Sequence, residues 1–340
     1  MERSKRIFFS SLFILLSFSV YAAGKIEKSE ISAGNLKLVF YPQSGSFCLY
    51  RLSEIGKDNW EPLYDDRALA STNSYRLLVG NKEYTAKRKL GKRLTVENNG
   101  SQISVTYPLT KDIALNQRFY FSTEKYETSA RVLCIETSFE NTTGASVDVA
   151  LKAIFDTNLG ERQRFSLYTD TQSIMAETHI DVAASKANFI ASANSLSACV
   201  FFIRQAKQDP PKEIFVANWD YLQSIKWIPN SVEGRSFSTK YYNNDSAIMF
   251  LWEPKRLDRN EKYVVTNCIG YYDFLKRDIP QEAVEQHLQV LPEKQRKNYD
   301  DIQKLLLQIE TVKNNPDQYS DEEITKLTEQ VDKALLEIQE

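Results

Sequence analysis

Leu36-Lys37-Leu38-Val39-Phe40, then Pro42-Gln43-Ser44-Gly45-Ser46, then Phe47-Cys48-Leu49-Tyr50-Arg51-Leu52, is the stretch on which the fold turns. Alternation, a Pro/Gly/Ser turn and a second apolar run form a hairpin signature. The same grammar recurs downstream. Tyr75-Arg76-Leu77-Leu78-Val79 leads through Gly80-Asn81 to Glu83-Tyr84-Thr85-Ala86. Leu94-Thr95-Val96 meets Asn98-Asn99-Gly100 and then Gln102–Tyr107. Further strand runs read at Ala114–Ser122, Ala130–Glu140, Val147–Phe155, Ser197–Arg204, Ser246–Trp252 and Lys262–Tyr272. Strands at this spacing without helices between them predict a mainly β chain, a large antiparallel β-sandwich over 23–280. The 18 Tyr and 18 Phe suit half-buried pleated surfaces.

The sequence opens MERSKRIFFSSLFILLSFSVYAAG. Arg3, Lys5 and Arg6 precede an apolar run from Ile7 to Val20, and Val20 and Ala22 match a signal-peptidase site. The run is short for a bilayer span, so residues 1–22 read as a secretory signal cleaved after Ala22, not as an anchor. The expected location is the periplasm or exterior of a bacterial envelope. No later segment reads as transmembrane. Residues 1–22 hold three bases and one acid, so the remainder carries −4. Residues 281–340 hold 7 Lys+Arg against 14 Asp+Glu, which leaves 23–280 at +3 and marks a boundary near Pro280.

Composition excludes several function classes. Only two histidines, His179 and His287, argue against most zinc enzymes and against His-based acid–base catalysis. No phosphate-binding Gly-Lys-Ser/Thr loop, Gly-x-Ser-x-Gly elbow or His-Glu-x-x-His motif occurs. No cofactor is expected, and the near-neutral charge gives no pull toward nucleic acid. The run Lys87-Arg88-Lys89-Leu90-Gly91-Lys92-Arg93 is the one basic cluster and reads as a solvated hairpin tip, since nothing aromatic interleaves it. Cys48, Cys134, Cys199 and Cys268 each sit in a strand-like run, none in a Cys-x-x-Cys motif. Two bridges in an exported chain and four small core residues both remain open.

Three sets of residues are candidates for binding. Asp156, Glu161 and Asp170 carry oxygens suited to Ca²⁺, although Asp156 before Thr157 also suits a strand exit in which the carboxylate caps backbone N–H groups. Trp219, Tyr221 and Trp227 lie in a polar, Pro-flanked stretch, where aromatic side chains meet sugar rings or a partner surface, or else fill the core. The third set follows Pro280, where the apolar period changes from strand-like to helical. One helix is expected over about 293–313 and another after Ser320-Asp321-Glu322-Glu323, a capping box. Ile324, Leu327, Val331, Leu335 and Ile338 form a heptad seam on the latter. Residues 281–340 therefore read as an acidic α-helical hairpin, a docking element for a partner or a pair that packs on the chain itself.

The order strand, Asn141-Thr142-Thr143 turn, strand, Asp156-Thr157-Asn158-Leu159-Gly160, Pro210-Pro211 before Trp219, then Asp245-Ser246-Ala247 before Trp252-Glu253-Pro254, resembles the β-supersandwich domains of exported bacterial proteins. Those domains are similar to the galactose mutarotase-like fold, and the resemblance covers roughly 30–275. It implies a supersandwich-like fold. That family uses two histidines and a carboxylate on inward-facing strands, and His179 has no second histidine in the β body, so the catalytic pattern does not carry over. The reading that follows is a non-enzymatic envelope protein that binds a protein partner or a glycan. Its rival is a carbohydrate-active enzyme using carboxylates such as Glu213, Asp220, Asp245 and Glu253 in a sandwich cleft.

Overall fold

The computed structural model describes residues 27–52, 59–64, 72–89, 93–122, 132–159, 161, 167–194, 197–204, 209–240, 245–273, parts of 297–312, and 319–339. The signal at 1–22 and the boundary near Pro280 lie outside the described residues.

The chain begins with β1 (Ser29–Ala33), β2 (Leu36–Tyr41), β3 (Ser46–Leu52) and β4 (Trp60–Pro62). Next come β5 (Ser74–Val79), β6 (Lys82–Thr85), β7 (Thr95–Asn98), β8 (Gln102–Pro108) and β9 (Ala114–Phe121). Then follow β10 (Leu133–Glu140), β11 (Val147–Asp156), β12 (Leu167–Thr169), β13 (Ser173–Ile174), β14 (Thr178–Asp181) and β15 (Phe189–Ala193). The body ends with β16 (Ser197–Phe202), β17 (Glu213–Asn218), the short helix α1 (Trp219–Ser224), β18 (Ser246–Leu251), β19 (Lys255–Leu257) and β20 (Lys262–Asp273). The helix α2 (Asp321–Gln339) closes the chain.

These strands form three antiparallel sheets. One has four strands, β1-β2-β3-β4. A second has nine, in the order β13-β12-β15-β16-β20-β10-β9-β8-β7. The third has seven, β14-β17-β18-β11-β5-β6, with β19 pairing the start of β11 on the edge opposite β5. The architecture is therefore the mainly β, antiparallel sandwich that the alternation predicts. One continuous core joins inward residues of all three sheets, including Phe40, Phe47, Phe119, Phe155, Phe201 and Phe250. The four-stranded sheet meets the nine-stranded sheet at Phe47 and Phe119, whose rings lie 4.9 Å apart. The seven-stranded sheet meets it at Phe155 and Phe201, also 4.9 Å apart.

Register decides the cysteines. β10 and β20 place Cys134 and Cys268 directly opposite each other, with Cα atoms 4.2 Å apart, and they form a disulfide. Cys48 and Cys199 are buried and outside any disulfide. The two readings left open by the sequence thus each hold for one pair.

The first hairpin closes on a tight turn. Gly45 has φ +79°, and a Cβ there would stand 3.0 Å from the Arg88 N, 3.1 Å from the Lys87 Cα and 3.1 Å from the Tyr107 ring. The Arg88 N–H donates to the Ser44 carbonyl, and the Tyr107 hydroxyl donates to the Gly45 carbonyl. This turn therefore clamps the segment after β6. Gly45→Ala is expected to cost about 2 kcal/mol in a denaturant titration, since both backbone strain and crowding oppose it.

Two parts of the body are not foreseen by the alternation. The strands between Leu167 and Ala193 are short, and α1 follows β17 without a break. At the other end the capping box forms: Ser320 N–H donates to Glu323, and Glu323 N–H donates to the Ser320 Oγ. The described residues of 297–312 are helical, as the helix expected over about 293–313 requires. Among the described residues no helix is long and apolar enough to cross a membrane.

Candidate functional site

Alternation on the seven-stranded sheet sends Leu77, Tyr84, Leu151 and Phe155 into the core. Their neighbours Arg76, Glu83 and Lys152 therefore share the outer face. Arg76 lies directly opposite Lys152 across the β5–β11 pair. Two like charges in register repel, and Glu83 answers both. Its Oε1 accepts from Arg76 Nη1 at 3.0 Å, and its Oε2 lies 3.5 Å from Lys152 Nζ. Lys152 is fully buried. Its ammonium also donates to the carbonyls of Lys226 (2.5 Å) and Trp227 (3.3 Å), and it sits 4.7 Å from the Trp227 ring centre. Burial lowers its pKa to about 8, with Arg76 adding to the effect and Glu83 opposing it. Each N–H of Lys152 has an acceptor, so this side chain acts as a brace between sheet and loop.

That loop forms a lid. Asn218, the last residue of β17, caps α1 by accepting from the Tyr221 N–H, while its amide donates to Phe237 and Asp245 carbonyls. Arg76 Nη2 holds the end of α1 through the Gln223 carbonyl (2.9 Å) and side chain (2.5 Å). Ile154, Phe215, Ala217, Leu222 and Met249 are buried beneath the lid, with Trp219, Tyr221, Ile225 and Trp227 packed half-buried on them.

The far side of the lid hangs on Glu177, a buried carboxylate. It accepts from the Val232 N–H (2.8 Å), from Arg235 Nε (2.5 Å) and from Arg235 Nη2 (2.9 Å). The backbones of Glu177 and residues 234–235 bond as well. Arg235 in turn stacks on Tyr221 at 4.6 Å, and the Tyr221 hydroxyl donates to the Asn230 carbonyl. Around this hub three large apolar side chains face solvent: Ile228 (64% exposed), Met175 (53%) and Val232 (47%).

The structure brings Trp219, Tyr221 and Trp227 together on the lid. None is an open platform and none is wholly core: the Trp219 ring N–H donates to the Thr72 carbonyl, and Lys152 covers one face of Trp227. Asp156, Glu161 and Asp170 are employed separately. Asp156 is buried at the end of β11, Glu161 accepts from the Ser246 N–H and hydroxyl, and Asp170 accepts from the Asn188 N–H and side chain. Among the described residues no three of His, Cys, Asp and Glu gather as metal ligands. Glu213 faces His179 at 3.3 Å, and Glu253 faces Lys212 at 3.1 Å. On α2, Ile324 is 37% exposed and Leu327 half-buried, while the side chains of Val331, Leu335 and Ile338 lie outside the described set.

Sequence reasoning missed Lys152, Arg76 and Glu83. The signal was available in Val147–Asp156, where a lysine interrupts a run of buried residues. It also missed Glu177 and Arg235, which lie 58 residues apart in irregular chain.

No family model matches the chain, and no curated protein matches its sequence. Solved structures are similar to it at low identity. A putative aldose 1-epimerase from Escherichia coli K12 is 10% identical, with a TM-score of 0.45 over 73% of this chain and 99% of that one. A galactose mutarotase-like protein from Clostridium acetobutylicum is 10% identical, with a TM-score of 0.39 over 73% of this chain and 98% of that one. A mutant heparan sulfate lyase from Pedobacter heparinus is 9% identical, with a TM-score of 0.39 over 74% of this chain and 36% of that one. The similarity is remote, as the supersandwich resemblance implies.

Proposed function

We propose that the chain is an exported, non-enzymatic envelope protein whose lid, residues 219–235, docks a protein partner. One observation carries the reading: a braced loop holds Ile228 and Val232 in solvent on the same segment as Tyr221, Trp227 and Arg235, and Met175 is exposed two residues before Glu177, which bonds to that loop. Contiguous exposed apolar groups mark interaction sites. Trp, Tyr, Met and Arg are the residue types enriched at interfaces and their hot spots. The hydrogen bonds that Glu177 accepts from the loop and that Lys152 donates to it order the loop before binding, which lowers the entropic cost of docking. A neutral glycan that stacked on these rings would find one face of Trp227 and one of Tyr221 already carrying a cation. The positive amino terminus and apolar run support export. The helices of 281–340 supply a second docking element, with Ile324 on its exposed side.

The test is a pull-down from envelope extract with the full chain and with Ile228→Asp/Val232→Asp. Both side chains are exposed, so the variant should melt like the parent. The partner captured by the parent should be reduced at least about tenfold. Equal capture by parent and variant would remove the lid as the docking surface.

A further inference from the structure

A second surface is distinct from the lid and does not depend on its reading. A groove of about 440 Å³ runs where the edge of β1 meets the edge of β7. Asn98 ties the two edges together, donating to the Ser29 hydroxyl and the Glu30 carbonyl. Lys28, Arg88 and Arg93 line the groove, with Glu27 as its one acid among the described residues. Pro42, Leu94 and Val96 add apolar surface.

The cations are placed but not employed. The backbone of Arg88 is held by the Ser44 carbonyl against Gly45, where no side chain fits. The adjacent Lys89 is spent, donating to the Leu109 carbonyl at 3.0 Å. Among the described residues the guanidinium groups of Arg88 and Arg93 have no hydrogen bond and no ion pair. Lys28 has only a ring contact, 5.8 Å from the Tyr41 centre. Lys28, Arg88 and Arg93 are exposed, whereas Arg51, Arg76 and Arg118 in the body are matched with Glu61, Glu83 and Glu136.

We infer that this groove binds a short acidic oligosaccharide, through its carboxylate or sulfate groups. Two guanidinium forks, that of Arg88 on a backbone held by Ser44, suit planar or tetrahedral oxyanions, which they pair bidentately. The apolar strip of Pro42, Leu94 and Val96 suits the C–H faces of sugar rings. A single-stranded nucleic acid would need aromatic stacking platforms, and among the described residues none lines the groove. A planar lipid surface would meet a concave site poorly.

The experiment is a calorimetric titration of the full chain with a galacturonate tetrasaccharide, a sulfated dextran fragment and a neutral dextran fragment. Saturable binding is expected for at least one anionic probe and not for the neutral one, and which one binds separates carboxylate from sulfate. Raising salt from about 50 mM to about 300 mM should weaken it. Arg88→Ala/Arg93→Ala should lose at least about tenfold, and Arg88→Lys/Arg93→Lys about threefold or more, because a lysine keeps charge but not the fork. Lys28 also lines the groove, and Lys28→Ala should lose about threefold. Lys255→Ala/Arg256→Ala, exposed bases elsewhere, should change nothing. No saturable binding, full retention by the double lysine variant, equal loss in the control, or tighter binding of an oligonucleotide or of anionic vesicles would each overturn the assignment.

Discussion

Phe155→Ala is expected to lower the stability of the body by about 3–5 kcal/mol, the range for removing a large buried aromatic. Phe155 is fully buried on β11. Its ring centre lies 4.9 Å from Phe201, 6.0 Å from Tyr75, 6.0 Å from Phe250 and 6.1 Å from Tyr64. Phe201 belongs to the nine-stranded sheet and Tyr75 and Phe250 to the seven-stranded one, so this ring joins both inner faces. Packed strands on both sides cannot collapse into the vacated volume, which places the loss toward the upper end. A urea titration followed by far-ultraviolet dichroism should show a lower midpoint with an unchanged slope. A midpoint equal to the parent's would mean that the two sheets do not meet at this ring.

The second large effect is a pH dependence set by Lys152. In the native chain its pKa is about 8, against the ordinary lysine value of 10.5, chiefly because burial disfavours the ammonium. Between those values the unfolded state binds more protons than the native one, so stability rises with pH. The rise begins near pH 8, is complete near pH 10.5, and amounts to at most about 3 kcal/mol. Burial acts in the opposite sense on Cys199, Tyr64, Tyr75 and Tyr168, whose pKa values are raised. Their contribution is present below their unfolded pKa values and is lost as pH rises past them. Comparing the parent with Lys152→Met isolates the lysine, because those groups are common to both. Denaturation midpoints at pH 7 and pH 9.5 should converge or cross in favour of the parent at the higher pH. Parallel profiles would mean that Lys152 titrates normally and that the brace is open to water.

The legibility of this chain follows the range of its interactions. The hairpins β2–β3, β5–β6 and β7–β8 were readable because alternation and an intervening turn are local, and β9, β11, β18 and β20 were found to within a residue or two. β12 to β15 were not, since strands of two to five residues hold too few alternations. Trp219, Tyr221 and Trp227 could be named together because they are close in sequence. The groups that fix them could not: Lys152 meets Trp227 across 75 residues, and Glu177 meets Arg235 across 58. The basic run at 87–93 read as a solvated tip because the groove that Arg88 and Arg93 line is completed by Glu27, Lys28 and Pro42, which come from the ends of other strands. Ionic pairing is a matter of three-dimensional neighbours, and composition alone does not say which cations lack one.

The place of β20 governs the order in which this fold can be completed. It is the last strand of the body, yet it lies in the interior of the nine-stranded sheet, between β16 and β10. A chain emerging from its amino end therefore holds two half-sheets, β13-β12-β15-β16 and β10-β9-β8-β7, each with an open inner edge. Unpaired edges invite pairing with other chains. The body becomes edge-safe at its centre only when residues 262–273 arrive, and Cys268 can meet Cys134 only at that moment. A chain short of this strand leaves both inner edges unpaired, and the Cys134–Cys268 bond ties together two strands that neighbour each other only in the finished sheet.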